Sequence, residues 1–137
     1  MASSVVTNRT FKKAVSGDVS LDGTAISATA LISVKSANHR IYITKVTLNI
    51  ETHANSKVFV IEDSASTPVT IASHTDLTFA AGVPSVVTWD FGEEGFPATL
   101  GKDINYVANT GGTGFVGNFH VEGYETLVGP VAAASTN

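Results

Sequence analysis

Cysteine is absent from this 137-residue chain, and charged residues are scarce at 15% of the total. Without a thiol the chain can form no disulfide, no thiolate nucleophile and no cysteine-based zinc site. The charged fraction is well below the roughly 25% of an average soluble domain. The hydrophobic fraction of 43% is too high for a disordered chain, and the length suits one domain with its own core. Such low charge indicates a domain that hides part of its surface in an assembly.

Long apolar runs and excess positive charge are also absent. No segment approaches the ~18 consecutive apolar residues of a membrane-spanning helix, and the first residues lack the apolar core of a signal peptide. A net charge of −4 does not suit broad neutralisation of phosphates. We therefore expect a soluble, unexported protein that binds neither nucleic acid nor membrane.

Alternation of apolar and polar residues dominates the chain, which is typical of half-buried β-strands. In residues 40–52 the apolar positions change parity near Thr44 and Lys45, which predicts a bulge or a bend. Residues 57–63 are apolar on both faces, which predicts a central strand. Other core positions are predicted from the same alternation: Ile26, Ala28, Ala30, Ile32, Val34, Val87, Trp89, Phe91, Ile104, Tyr106, Ala108, Phe119 and Val121.

Turn signals separate these runs, including residues 16–18 and a polar segment at 53–56 that we interpret as a hairpin connection. No amphipathic helix longer than two turns is evident. The sequence predicts an all-β protein, an antiparallel β-sandwich of the jelly-roll type with about eight strands. Its expected organisation is an N-terminal arm and first strand at 1–18, the sandwich at 19–128, and a flexible C-terminal tail at 129–137.

Residues 112–117 spell G-x-G-x-x-G, the fingerprint of dinucleotide-binding proteins. That fingerprint requires a helix directly after the glycines, because the N-terminus of the helix holds the pyrophosphate. Here β alternation continues through Phe119 and Val121. We therefore predict no cofactor, a tight turn joining two antiparallel strands, and a core-facing strand position for Gly117.

Groups for other chemistry are scattered. His39, His53, His74 and His120 are scattered, and none has a second histidine two or four positions away, so we expect exposed, solvated histidines and no metal. The adjacent Glu93 and Glu94 point apart and cannot form an acid–base pair by themselves. Glu62 and Asp63 end a strand, where calcium is conceivable and solvated loop charge is the simpler expectation. The sequence predicts no enzyme.

Two features remain as candidate binding elements. Trp89, Phe91 and Phe96 surround a loop, where they could stack a sugar ring or, as we expect, pack the sandwich. The N-terminal arm concentrates three of the eight basic residues. We interpret Arg9, Phe11, Lys12 and Lys13 as an anchor for an acidic partner, against the alternative of a solvated terminus.

The assembled pattern resembles the small jelly-roll decoration (cement) proteins of tailed-phage capsids. A long early strand at 39–52 is followed by a polar connection to 57–64, then by "VVTWDF" and a Gly/Pro loop, "GEEGFPATLGKDINYVA". The most specific part is the closing order of "LGKDINYVA", a glycine turn and "VGNFHVEGYE". No residue marks a capsid-binding site of that family, so no site residue is carried over from it.

The resemblance implies a homo-dimer or homo-trimer on the outer capsid surface of a virion, made in the host cytoplasm. Its partner is then the major capsid protein, whose neighbouring subunits it bridges. A carbohydrate- or receptor-binding β-sandwich of a phage tail or fibre is the alternative. A small hydrolase or isomerase on a jelly roll is a third, and it needs converging histidine and carboxylate groups.

Overall fold

The computed structural model describes residues 12–21, 26–52, 57–76, 85–110 and 116–128. These residues form nine β-strands and include no helix, so no helix within them is long and apolar enough to cross a membrane. The strands are β1 (Lys13–Leu21), β2 (Ile26–Ile32), β3 (His39–Thr52), β4 (Lys57–Asp63), β5 (Thr70–Asp76), β6 (Ser85–Asp90), β7 (Phe96–Pro97), β8 (Ile104–Thr110) and β9 (Val116–Leu127).

The strands form two antiparallel sheets packed as a sandwich. Sheet A has the order β1-β9-β3-β6, with the two-residue β7 beside β3, and sheet B has the order β2-β8-β4-β5. Consecutive strands lie in opposite sheets, except for the pairs β4–β5 and β6–β7. This interleaved order is the jelly roll. The predicted fold class is confirmed, with eight main strands and one short additional strand.

The same strand order contradicts two predicted hairpins. β3 and β4 lie in different sheets, so the connection at 53–56 joins the sheets and does not form a hairpin. β8 and β9 also lie in different sheets, so the glycine-rich connection at 111–115 does not close a final hairpin either. Residues 53–56 and 111–115 themselves lie outside the described part of the chain. Alternation reveals strands, but it carries no information about which strands are paired.

The core lies between the sheets and consists of their inward-facing side chains. Its fully buried members alternate along the strands as the sequence predicts: Ile41, Ile43, Val46, Leu48, Phe59, Ile61, Ile104, Phe119 and Val121. Burying each such side chain contributes about 1.5–3 kcal/mol. β4 is a central strand, as predicted, with Phe59 and Ile61 buried and Val58 and Val60 half-buried on its outer side.

The parity change in β3 is a β-bulge. The register of β3 against β9 shifts between Ile43 and Lys45, which leaves Thr44 as the extra residue. The Thr44 hydroxyl donates a hydrogen bond to the carbonyl oxygen of Glu122 (3.2 Å), and its carbonyl accepts one from the amide of Phe91 (2.8 Å). The bulge lets both halves of this long strand place their apolar side chains in the core.

Gly123 lies opposite the bulge. A Cβ at this position would overlap the carbonyl oxygen of Tyr42 and lie 3.0 Å from the Cα of Ile43. Both obstacles are backbone atoms, so only glycine allows β9 to approach the bulged strand this closely. Gly117, further along β9, is buried on the core side, which confirms its predicted strand position.

Other predictions made from local patterns are wrong. Residues 16–18 were predicted as a turn but lie within β1, which pairs with β9 from Lys13 to Leu21. The first strand therefore belongs to sheet A, and the predicted division between residues 18 and 19 falls inside it. In β2, Ala28 and Ala30 are exposed, whereas Ile32 is buried, because the register of β2 against β8 is irregular. Residues 1–11 and 129–137 lie outside the described part of the chain.

Candidate functional site

The outer face of sheet A carries most of the charge on the flat surfaces of the sandwich. We call it the charged face, and its charged side chains include Asp18, Lys45, Glu51, Asp90, His120 and Glu122. Strand register places Glu122, Lys45 and Asp90 next to one another on β9, β3 and β6. Lys12, just before β1, lines the shallow depression over this row. Charges of alternating sign on a flat sheet suit a polar partner surface.

His120 lies between two carboxylates on the charged face. Its Nδ1 is 2.6 Å from an oxygen of Asp18 on β1, and its Nε2 is 3.1 Å from an oxygen of Glu122. A neutral imidazole can donate through only one nitrogen, whereas the protonated ring donates through both. Hydrogen bonds to Asp18 and then Glu122 therefore raise the pKa of His120 above its usual value, against a smaller opposing effect of burial.

A row of stacked side chains closes one end of the charged face. The rings of Tyr42 and Tyr124 are parallel within 12°, with centroids 4.9 Å apart, and the ammonium of Lys12 lies 4.6 Å from the centroid of Tyr124. The Tyr124 hydroxyl donates to the carbonyl oxygen of Glu94 (2.6 Å). Burial, with smaller contributions from Tyr42 and Glu94, raises the pKa of Tyr124. The row joins the start of β1 to the loop after β6.

The predicted anchor is only partly within the described residues. Lys12 contacts Tyr124, and Lys13 begins β1, where it pairs with Glu125 of β9. Both lysines are exposed. Arg9 and Phe11 lie outside the described part of the chain. The described part of the anchor is therefore held against sheet A at the end where the tyrosines stack.

Asp63, the last residue of β4 in sheet B, carries a buried carboxylate and is 0% exposed. One oxygen accepts the amides of Ala65 (3.2 Å) and Val69 (3.0 Å). The other accepts the amide (2.9 Å) and the hydroxyl (2.6 Å) of Thr99. Burial raises the pKa of Asp63, but the hydrogen bonds from Thr99, Val69 and Ala65 outweigh it and lower the pKa overall. The expectation of a solvated loop charge at Asp63 is wrong, because the carboxylate organises two loops.

Two further carboxylates hold loops by the same means. Asp103 accepts the amide of Val34 (2.8 Å), and its own amide donates to the Ser64 hydroxyl (2.9 Å). Glu125, 4% exposed, accepts the amide of Lys35 (2.7 Å). These side chains supply acceptors for loop amides that have no strand partner. The carboxylates of Asp103 and Glu125 therefore stabilise loops.

The histidines differ from expectation. The described ones, His39, His74 and His120, are half-buried and in contact with neighbours, so the prediction of exposed, solvated rings is wrong for them. His39 Nδ1 lies 2.6 Å from the Ser36 hydroxyl, and His74 packs edge-on against Trp89 at 6.3 Å. His53 lies outside the described part of the chain. Within the described ranges, no group of three or more histidine and acidic side chains is arranged to hold a metal ion.

The aromatic residues of the loop region pack onto the sandwich, as predicted. Trp89 on β6 is half-buried and contacts the core edge-on through His74. Phe91 and Phe96 pack edge to face at 5.6 Å. Stacking of a sugar needs a free ring face, and the faces of Tyr124 are covered by Tyr42 and Lys12. The partly buried rings of Trp89, Phe91 and Phe96 and the stacked ring of Tyr124 are thus used in packing within the protein.

Sequence reasoning missed the contacts that depend on strand pairing. Asp18 and His120 are 102 residues apart, and Asp63 and Thr99 are 36 apart. Tyr42 and Tyr124 become neighbours only through the pairing of β3 with β9. The one available signal was parity: Asp18, His120 and Glu122 all occupy the polar side of their strands.

No protein-family model matches the chain, and no curated protein sequence matches it significantly. Among solved structures, it is similar to a chain described by "Bacillus endospore appendages form a novel family of disulfide-linked pili", with 13% identity and a TM-score of 0.38, covering 87% of this chain and 92% of that one. It is also similar to a chain of infectious bursal disease virus Gt strain, with 9% identity, a TM-score of 0.34, and coverage of 93% and 42%.

A third similar structure is the infectious bursal disease virus VP2 subviral particle, with 11% identity, a TM-score of 0.23, and coverage of 95% and 44%. The present chain thus spans less than half the length of these two viral chains.

Proposed function

We propose that this chain is a structural virion protein, a capsid decoration or cement protein of a tailed bacteriophage. It is made in the host cytoplasm, binds the outer capsid surface and bridges neighbouring subunits of the major capsid protein. The observation that carries the proposal is the jelly-roll strand order, which occurs in viral capsid domains as well as in lectins and cupins. Proteins of one fold perform many functions. The positions of the polar side chains favour a structural function among them.

The polar side chains of the described ranges support a structural role. Asp63, Asp103 and Glu125 accept loop amides, and His120 holds Asp18 of the edge strand β1. A general acid or base must instead lie within reach of a substrate proton. Trp89, Phe91 and Phe96 pack partly buried against the core, and Tyr124 stacks on Tyr42. A non-enzymatic protein without a cofactor accounts best for side chains used in this way.

Bridging stabilises a shell by mass action. A clamp that binds the assembled lattice and not the free subunits shifts the equilibrium toward the lattice. Many copies act around the shell, and a homo-dimer or homo-trimer engages several subunits at once, so each contact can be modest. The low charge of the chain fits a protein that spends its working life with part of its surface covered.

The proposed capsid contact is the N-terminal anchor of Arg9, Phe11, Lys12 and Lys13, together with the adjoining end of the charged face. Lys12 and Lys13 place two exposed cations at this end. Charge complementarity with an acidic capsid surface would speed and orient docking, and Phe11 would fill an apolar pocket. Added salt should weaken this contact, because it screens the charges of Arg9, Lys12 and Lys13.

The test is co-sedimentation of the purified chain with capsids of the encoding phage that lack it. We expect saturable binding in a fixed ratio to capsid subunits. A deletion of residues 1–11, which leaves β1 and Lys12 intact, should lower occupancy, and K12A combined with the deletion should lower it further. Unchanged occupancy would remove the anchor from the proposal. No binding of the full chain would overturn the proposed function itself.

A further inference from the structure

The two outer faces of the sandwich differ sharply in charge. The outer face of sheet A is the charged face described above. The outer face of sheet B, which we call the neutral face, is formed by the outward side chains of its four strands: Ala30, Val58, Val60, Glu62, Thr70, Ser73, Thr75, Asn105 and Val107. Glu62 is the single ionisable side chain of this set.

Strand pairing places the apolar members of the neutral face at its centre. Val60 on β4 pairs with Val107 on β8, and both strands are internal in sheet B. Val58 lies two residues before Val60 on the same side, and Ser73 of β5 completes the row. Around this valine centre the described outward side chains are short and uncharged, apart from Glu62. A centre of valines with a neutral polar rim has the anatomy of a protein interface.

We infer that the neutral face packs against the same face of a second copy of this chain, which makes the protein a two-fold dimer. An almost uncharged face would leave the charges of a strongly acidic or basic partner without counterparts, whereas it is electrostatically complementary to itself. Contact between identical patches is the ordinary form of a two-fold interface. The inference rests on the homo-oligomer of the proposed function and decides between its dimer and trimer forms.

The size of the face predicts the strength of this dimer. Four strands about 4.8 Å apart, with about seven residues of 3.3 Å each, span roughly 19 by 23 Å. That footprint of about 440 Å² is below the roughly 800 Å² of accessible surface per partner in a standard stable interface. The dimer is therefore reversible in solution, and the charged face stays free for the capsid. Tethering of both copies to one shell then strengthens the pairing.

The test is sedimentation equilibrium of the full chain between about 10 µM and about 1 mM, a range that captures weak dimers. The weight-average mass should rise from one toward two chain masses. V60K/V107K places two cations at the centre of each neutral face and should raise the dissociation constant at least about tenfold. The matched control is V86K, because Val86 is 63% exposed on the charged face; its dissociation constant should match the wild type.

A cross-linking measurement tests the same contact without lysine substitutions in sheet B. The chain has no cysteine, so S73C and T88C each carry one thiol, on the neutral face and the charged face respectively. A short bis-maleimide should cross-link S73C into dimers and leave T88C monomeric. A wild type that stays monomeric to about 1 mM, a mass approaching three chains, or equal cross-linking of both variants would overturn the inference.

These outcomes are distinct from a failure of the proposed function. Binding to chain-free capsids is measured separately for the wild type and V60K/V107K. A monomeric double variant that still binds capsids supports the division of work between the two faces. A wild type that dimerises but binds no capsid keeps the neutral-face dimer and removes the virion role.

Discussion

Asp18 on the edge strand β1 and His120 on β9 face each other across sheet A, with a carboxylate oxygen 2.6 Å from Nδ1. Glu122 approaches the other ring nitrogen, and Thr47 of β3 pairs with His120 from the opposite side. The pair is one of the side-chain contacts that fasten β1, which among the described strands has a neighbour in its sheet on one side alone. Protonation of His120 therefore bears on how firmly the N-terminal strand is held.

The stability of the chain should depend on pH through His120. Because the folded-state pKa is raised, the contribution is fully present below the unfolded value of about 6.5 and is lost as pH rises through the folded value. H120Q should destabilise the protein by up to about 1 kcal/mol at low pH, since the pair is partly exposed. Urea unfolding at about pH 5.5 and about pH 9 measures this. H39Q is the control, and a pH-independent effect of H120Q would contradict the account.

Asp63 should be essential for the loops it organises. D63N keeps the shape of the side chain but replaces one acceptor oxygen by a donor, which then faces either the Thr99 amide or the amides of Ala65 and Val69. We expect a loss of about 2–4 kcal/mol in the free energy of unfolding. D90N is the control, because Asp90 is exposed and accepts one hydrogen bond, from the Gly92 amide (2.9 Å). Equal effects of the two variants would show that burial at Asp63 does not matter.

The depressed pKa of Asp63 also sets a pH dependence of opposite sign to that of His120. Its contribution is present above the unfolded pKa of about 3.9 and is lost as pH falls through the lower folded value. The stability difference between the wild type and D63N should therefore shrink in strong acid. Urea unfolding between about pH 5 and about pH 2 checks this, and a constant difference would contradict it.

Gly123 should tolerate no side chain. In G123A the new methyl group meets the carbonyl of Tyr42 and the Cα of Ile43, and both are held in the β3 bulge. We expect a loss of about 3 kcal/mol or more, in the range of severe overpacking. G92N is the comparison, since Gly92 has no atom within 4 Å of its Cβ position and its φ of 77° is adopted more often by asparagine than by most residues; its loss, which reflects φ alone, should be the smaller one. A G123A melting temperature equal to that of the wild type would refute the close approach.

The fluorescence of Trp89 should not change when sugars are added. It is the single tryptophan of the chain, and it is half-buried against the core and His74. Its emission should therefore report one site, and we expect no change in wavelength or intensity on addition of host-surface oligosaccharides. A saturable shift would favour the carbohydrate-binding alternative over the structural role. Unfolding in urea, which must shift the emission, is the positive control.

Sequence patterns predicted the features that depend on residues close together in the chain, namely core positions and the bulge in β3. The alternation located the core positions Leu48, Phe59 and Val121, and the parity change in β3 located the bulge at Thr44. These succeed because strand side chains alternate with a period of two whatever the strand pairs with. The prediction of core positions in β2 was wrong at Ala30, which is exposed where the register of β2 against β8 is irregular. No local pattern in the sequence indicates that irregularity.

The sheet order and the contacts between paired strands could not be predicted from the sequence. A jelly roll sends most successive strands to opposite sheets, so a short polar segment such as 53–56 predicts a hairpin although the strands before and after it, β3 and β4, lie in different sheets. The same is true of side chains that meet on the outer faces of the two sheets. Asp18 meets His120, and Val60 meets Val107, only through the order of strands in each sheet.

The central claim is that this chain strengthens an assembled capsid by bridging its subunits. The most direct test is the melting temperature of chain-free capsids of the encoding phage, measured with and without a saturating amount of the chain. The account predicts a higher melting temperature that saturates with occupancy, and no binding to unassembled major capsid protein, because a clamp stabilises the state that it binds. Saturating occupancy with an unchanged or lower melting temperature would contradict it.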